Sequence, residues 1–255
     1  MLTITDNELN CPSSLYLPHL SVDCVVFGFH ENQLKVLLLK SKYIDLWSLP
    51  GGFVKPTEAI EAAASRILQV RTGLEKIFLT QFRVFSDPNR VNPSFQKEIL
   101  DREGINPESY EWLNQRFVSM GFYALVEFSK VHPIPDLNSD RCEWKNIEEV
   151  GRLMMDHNEI LETALETLRL QLRYQPIGYN LLPEKFTMPE FQKLYETILG
   201  CELDRRNFQR KVLSYKILKR LSERRTGVAY KAPYLYSFDL DNYNQALENG
   251  LSGAW

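Results

Sequence analysis

One stretch constrains this chain more than any other: Leu46-Trp47-Ser48-Leu49-Pro50-Gly51-Gly52, followed five residues later by Thr57-Glu58-Ala59-Ile60-Glu61-Ala62-Ala63-Ala64-Ser65-Arg66-Ile67-Leu68. The apolar start suits a short strand. Pro50 lacks the N–H that a sheet ladder needs, and paired glycines accept turn conformations closed to other residues, so the strand ends in a Pro-Gly-Gly loop. The run beyond it is rich in helix formers, with a polar cap at Thr57 and Gly73 placed to close the helix. Strand, glycine loop and helix in that order require a domain mixing α and β structure.

The flanking sequence supplies the rest of that domain. Val22–Phe29 and Leu34–Leu39 are apolar runs around the polar turn Glu31-Asn32-Gln33, which reads as a hairpin. Further strands are expected at Ile77–Phe85 and Arg116–Phe128, with the polar, partly helical Asn89–Gln115 as an insertion. His157–Tyr174 carries Ile160, Leu161, Ala164, Leu165, Leu168 and Leu172 at helical spacing, so an amphipathic helix is expected. Pro176-Ile177-Gly178 then breaks the chain and reads as a hinge. With 255 residues there is room for two domains.

Beyond the hinge, Thr187 and Glu190 have capping-box spacing, with Pro189 in the first turn of a helix over Phe186–Gly200. A four-residue turn leads to Asp204, which caps a second helix through Leu213. Ile217–Leu221 and Tyr230–Phe238 alternate like strands around the basic loop Ser222–Gly227. Helix, turn, helix and basic hairpin is the order of a winged helix–turn–helix. Charge agrees: residues 201–235 hold ten Lys/Arg against three acids, in a chain whose net charge is −3. Such segregation suits one polyanion-binding face.

Phe208, Val212 and Leu213 are at packing spacing on the second helix, which leaves Arg205, Arg206, Asn207, Gln209, Arg210, Lys211 and Lys216 as candidate DNA contacts. Arginine reads guanine bidentately, and asparagine or glutamine reads adenine. Arg224, Arg225 and Lys231 on the hairpin suit phosphates or the minor groove. Each has a plainer role. Asp204 is a helix cap before it is a base contact, Asn207 can complete that cap, and Lys219 and Arg220 read as solvent-facing strand residues.

Other classes are excluded by absence of signal. The opening MLTITDNELN has no basic n-region, and the longest apolar runs are too short to span a bilayer. Cys11, Cys24, Cys142 and Cys201 show neither CxxC spacing nor paired histidines, so neither a zinc site nor a disulfide framework is expected, and a reducing cytoplasm fits.

Gly52-x5-Glu58-x7-Arg66-Ile67-Leu68-x-Val70-Arg71-Thr72-Gly73-Leu74 resembles the Nudix box, G-x5-E-x7-R-E-U-x-E-E-x-G-U with U apolar. Gly52, Glu58, Arg66, Leu68, Gly73 and Leu74 match. In that family the first glutamate pairs with the arginine, and the later glutamates hold divalent metals that activate water. Here those later positions are Ile67, Val70 and Arg71. Isoleucine and valine offer no hard oxygen ligands, and an arginine repels a cation. The resemblance therefore implies the fold without catalytic residues, metal or other cofactor.

The stretch Leu181–Thr187 through Leu194-Tyr195-Glu196 to Asp204-Arg205-Arg206-Asn207-Phe208-x-Arg210-Lys211 resembles the C-terminal half of Nudix-related transcriptional regulators of the NrtR type. The combined expectation is an α/β (α+β) Nudix-like sandwich over residues 1–155, a connecting helix and hinge over 156–178, a winged helix–turn–helix over 179–240 and a tail over 241–255. The resemblance implies a homodimeric repressor on a palindromic operator, with no membrane partner, controlled by a small effector.

The chain departs from the box at its metal-binding end and resembles more the arabinose-responsive AraR branch of Bacteroides-type bacteria, and that resemblance implies a pentose effector, L-arabinose first. A sugar pocket needs hydroxyl partners and an apolar wall. Asp23, Lys55, Glu58, Arg83 and Tyr123 are candidates for the first, and Phe29, Trp47 and Phe122 for the second. Phe122 and Tyr123 face opposite sides of one strand, so at most one lines a pocket. A nucleotide effector would use Arg83 and Arg90 for its phosphates. The rival is a Nudix hydrolase with a metal on Glu58, Glu61 and Asp87. A weaker one is an RNA-binding module.

Overall fold

The computed structural model describes residues 15–75, 77–90, 115–136, 138–225 and 232–250. Within these, the residues of Met1–Phe27, Lys35–Leu125 and Lys130–Ala164 form one compact unit. Those of Gly28–Leu34, Val126–Ser129 and Leu165–Trp255 form a second.

The first unit is built on a seven-stranded sheet: β1 (Leu20–His30), β2 (Gln33–Ser41), β3 (Trp47–Ser48), β4 (Gly51–Phe53), β5 (Phe78–Phe85), β6 (Val118–Val126) and β7 (Ser139–Asn146). Its order is β3-β2-β1-β6-β5, with β4 paired to β1 and β7 to β2. Val22 and the run Cys24–Phe27 are wholly buried, as a strand flanked on both edges requires. The β1–β2 turn has only two residues, Glu31 and Asn32, both at positive φ, and Gln33 already begins β2. β7 escaped the sequence reading because five of its eight residues are charged or amide side chains. Its pairing with β2 supplies the order that its composition hides.

Two local expectations are corrected. Gly51 and Gly52 do not sit in an open loop: they begin β4, antiparallel to β1 with Gly51 opposite Asp23 and Gly52 opposite Val22. Helix α1 spans Ile60–Thr72, and its N-cap is Ala59, with no side-chain cap; Thr57 caps nothing. The cause is the Lys55–Glu58 turn, in which Glu58 N–H donates to Lys55 O (3.2 Å) and the Glu58 carboxylate accepts the Lys55 N–H (2.7 Å). That turn delays the helix. Gly73, at φ 72°, closes it as expected, donating to Gln69 O. Helix α2 follows at His157–Gln171.

The second unit contains β8 (Phe186–Thr187), α3 (Met188–Leu199), α4 (Arg205–Ser214), β9 (Leu218–Arg224), β10 (Tyr234–Phe238) and α5 (Leu240–Asn249). Its small sheet runs β8-β10-β9. Thr187 and Glu190 form the expected capping box. An aromatic core gathers on Phe191, whose ring centroid is 5.4 Å from Phe186, 5.0 Å from Tyr195, 5.8 Å from Phe208 and 5.6 Å from Phe238. Ile177 is buried, and a Cβ on Gly178 would meet Phe191 at 2.9 Å, so the Pro-Ile-Gly break is packed rather than loose. Phe208 and Val212 face the core, one helical turn apart. Leu213, one residue further round, is exposed, against expectation. The stretch read as a tail opens with a helix, capped by Asp239 and anchored by Tyr243, whose ring is 5.2 Å from Phe238. No helix among the described residues is long and apolar enough to cross a membrane.

Candidate effector site and nucleic-acid interface

Strand β1 carries a carboxylate, Asp23, into the interior of the first unit. Its Oδ2 accepts from Ser119 Oγ (2.6 Å) and Arg90 Nη2 (3.2 Å). Arg90 also donates Nε and Nη2 to the two oxygens of Asp156 (2.8 and 3.0 Å) and Nη1 to Phe117 O (3.3 Å). Burial opposes the charge on Arg90, but Asp156 and Asp23 outweigh it and hold its pKa above the ordinary value. The expectation that Arg90 serves an effector phosphate is thereby corrected. Its donors are already engaged by two carboxylates and a carbonyl.

His157 completes this cluster. Leu49 N–H donates to Nδ1 (2.9 Å), which places the ring proton on Nε2. That N–H lies 3.7 Å from Asp23 Oδ1 and has no hydrogen-bond partner among the described residues. Burial lowers the His157 pKa, against the pull of Asp23 and Asp156. Gly51 is pressed against the same carboxylate, since a Cβ there would sit 2.7 Å from Asp23 Oδ1. Ser119, Asp156 and His157 were missed in the sequence, because three isolated polar residues on separate elements leave no spacing to detect.

The glycine loop and the helix after it carry two further ion pairs. Glu58 and Arg66 pair as the box pattern implies: Arg66 donates Nε to Oε2 (3.0 Å) and Nη2 to Oε1 (2.5 Å) and Phe53 O (2.9 Å). Burial opposes ionisation of Glu58, but Arg66 and the Lys55 N–H prevail and its pKa falls. On the last turn of α1, Arg71 is buried with Nη2 3.4 Å from Asp136 Oδ2, while its Nε has no partner among the described residues. Burial lowers its pKa, and Asp136 resists that shift. Ile67 is buried too, and a Cβ on Gly52 would meet its Cδ1 at 3.0 Å. Among the described residues no group of three or more His, Cys, Asp or Glu side chains could hold a metal ion. Glu58, Glu61 and Asp87 make no such group: Glu58 is taken by Arg66, Glu61 is exposed, and Asp87 accepts the Asn89 N–H.

The eight expected effector residues are dispersed. Asp23 and Glu58 are bound as described. Lys55 is half-buried beside Glu58, and Arg83 is exposed on β5, 3.8 Å from Glu159. Phe122 and Tyr123 are core residues, while Phe29 belongs to the second unit. Half-buried Trp47 is ringed by cations, with Lys145 Nζ 4.3 Å, Arg141 Cζ 5.3 Å and Lys40 Nζ 5.6 Å from its ring centroid.

In the second unit, Asp204 caps α4 by accepting the Asn207 N–H (2.9 Å). Arg205, Arg206, Asn207 and Arg210 are exposed on that helix, Gln209 and Lys211 are half-buried, and Lys216 is exposed just beyond. Asn207 Oδ1 accepts from Arg210 Nη2 (3.0 Å), so the two side chains form one polar unit. The turn between the helices is clamped from α3. Gln192 Nε2 donates to Leu203 O and Glu196 Oε1 (both 2.8 Å), and Glu196 Oε1 accepts the Leu203 N–H (3.1 Å). On the hairpin, Arg224 and Arg225 are exposed, and Lys231 lies outside the described residues.

The comparisons with known proteins bear on both halves. Residues 17–167 match the NUDIX domain model, and residues 178–238 match the NrtR DNA-binding winged helix domain. The "ADPR responsive transcriptional repressor NtrR" of Acinetobacter baylyi is 28% identical over 89% of this chain and 84% of its own length. The crystal structure of Shewanella oneidensis NrtR complexed with a 27mer DNA superposes with a TM-score of 0.70 at 25% identity, covering 88% of this chain and 95% of that one. A MutT/nudix family protein from Enterococcus faecalis shares the fold, with a TM-score of 0.65 at 22% identity over 88% and 87% of the two chains.

Proposed function

The chain belongs to the Nudix family and joins its Nudix domain to an NrtR-type winged helix. On that premise we propose that it is a transcriptional repressor that binds duplex DNA through α4 and the hairpin. Its Nudix domain binds a small effector without hydrolysing it. One observation carries the second half: buried Arg71, paired with Asp136, stands where the box pattern supplies a metal-binding glutamate. A fixed cation there repels Mg²⁺, and without a metal neither Lewis-acid assistance nor an activated water is available.

The effector class we propose is ADP-ribose or a related nucleoside diphosphate sugar, because the Acinetobacter relative is described as responsive to it. The pentose reading, L-arabinose, now rests only on the departure of the box from its pattern at Ile67, Val70 and Arg71. As a regulator of this kind the chain works as a homodimer on a palindromic operator.

Thermal-shift titration of the whole chain with ADP-ribose and with L-arabinose, each with and without Mg²⁺, separates the effector readings, since only a ligand of the folded state raises the melting temperature. Metal-dependent cleavage of ADP-ribose in the same tubes would replace the regulator with a hydrolase. Selection of genomic duplexes by the purified chain, with an RNA pool as competitor, tests the nucleic-acid half. Recovery of a palindromic duplex is the expected result.

A further inference from the structure

The described basic residues of the hairpin fall into two groups that the sequence does not distinguish. Lys219 is spent on Asp239 (3.1 Å), Arg225 on Glu190, and nearby Lys185 on Glu223 (2.8 Å). Arg220 and Arg224 behave differently. Their guanidinium carbons lie 4.3 and 4.1 Å from the centroid of one ring, that of Tyr234 on β10. Arg224 also donates Nη2 to the Tyr234 hydroxyl (2.7 Å) and Nη1 to Ala232 O (3.3 Å). Neither arginine has a carboxylate partner among the described residues.

Register explains the arrangement. β9 and β10 are antiparallel with Arg224 opposite Tyr234 and Arg220 opposite Tyr236, and the pairing shifts between Tyr234 and Tyr236. The two arginines are four apart, so both leave the same side of β9. An aromatic face attracts a guanidinium, which offsets part of the repulsion between two like charges and holds two long side chains in fixed rotamers. A pair of ordered, un-neutralised guanidiniums within a Debye length of one another suits a ligand with repeated negative charge.

We propose that Arg220 and Arg224 form a two-charge clamp for consecutive backbone phosphates of duplex DNA, and that Tyr234 is its positioning residue. Arg225 and Lys219, closed on their own carboxylates, lie outside the clamp. This rests on the DNA-binding reading above and adds to it the residues that carry the hairpin's share.

The test is binding of the full chain to a mixed-sequence DNA duplex across a salt series. Arg220→Ala and Arg224→Ala are each expected to weaken binding and reduce the salt slope by about one, as loss of one phosphate contact does. Arg225→Ala leaves the slope unchanged. Tyr234→Leu weakens binding on the order of tenfold, because two side chains must then be ordered at the interface. Tyr234→Phe, which keeps the ring, recovers most of that loss. In the R220A/R224A background Tyr234→Leu has no further effect, whereas a structural role would cost the same in both backgrounds. An equal loss in both backgrounds, or unchanged slopes for the two arginine variants, overturns the clamp. If the wild-type chain binds no duplex even at low salt, the DNA-binding reading falls with it.

Discussion

Buried Arg71 pairs with half-buried Asp136, Nη2 to Oδ2 3.4 Å, between the last turn of α1 and the segment that leads into β7. Two backbone bonds lock the same junction: Ile134 N–H donates to Arg71 O (3.0 Å) and His132 N–H to Thr72 O (2.9 Å). One ion pair and two backbone hydrogen bonds thus tie the last turn of α1 to this segment.

Removing one partner of such a pair strands the other in the interior. Asp136→Ala is expected to cost about 3 kcal/mol in urea unfolding. Mg²⁺ and EDTA should both leave the wild-type melting temperature unchanged, and a rise with Mg²⁺ would show that a metal site persists.

Gly51 faces Asp23 across the β1–β4 pair, with room for hydrogen and nothing larger. Gly51→Ala should force either β4 or the carboxylate to move and cost about 1–3 kcal/mol, by analogy with an overpacked core. Loss of the Asp23 cluster would show as increased hydrogen exchange along β4 and at Leu49. A variant as stable as wild type would mean that the close approach imposes no constraint.

Burial holds His157 below its ordinary pKa of 6.5. As the pH falls, the unfolded chain takes up the proton first. This contribution to stability is therefore complete above pH 6.5 and is lost as the pH drops below it toward the folded value. Urea midpoints measured at about pH 7.5 and about pH 5.5 should differ for wild type. They should differ less for His157→Asn, whose amide oxygen can still accept the Leu49 N–H. Identical pH dependence in the two proteins would remove His157 from this account.

Arg206 and Arg210 are exposed on α4, so replacing either with Ala should spare the fold. Each replacement should weaken binding to a selected operator duplex by about 1–3 kcal/mol and relax the base preference at one position. Undiminished affinity would remove α4 as the reading helix.

Gln192 and Glu196 act one step back, by fixing the turn that aims α4. Burial opposes the charge on Glu196, but the Leu203 N–H and the Gln192 amide win and lower its pKa. Gln192→Ala is therefore expected to weaken operator binding while the effector-induced thermal shift stays intact. If both responses fell together, the defect would lie in the fold as a whole.

Local features were legible in the sequence because their causes are local. The Thr187–Glu190 box, the Asp204 cap, the Gly73 terminus and the Glu58–Arg66 pair each depend on residues at most eight apart. Charge segregation and helix order made the winged helix readable for the same reason. Leu213 misled, since apolar character alone does not say which side of a helix packs.

The amino-acid order by itself determined the main apolar strands and four of the five helices among the described residues; α5 escaped it. It also determined the Gly73 stop of α1, and that the box lacks its carboxylates at Ile67, Val70 and Arg71. Tertiary structure decided which polar residues meet. Asp23, Arg90, Ser119, Asp156 and His157 come together from positions as far as 134 residues apart, counting from Asp23 to His157. Arg220 rather than Arg225 keeps its charge free of a carboxylate because the fold sets Arg220 over Tyr234 of β10 and Arg225 against Glu190 of α3. The reason is physical: propensity and capping act through neighbouring residues of the chain, whereas desolvation and ion pairing act through space.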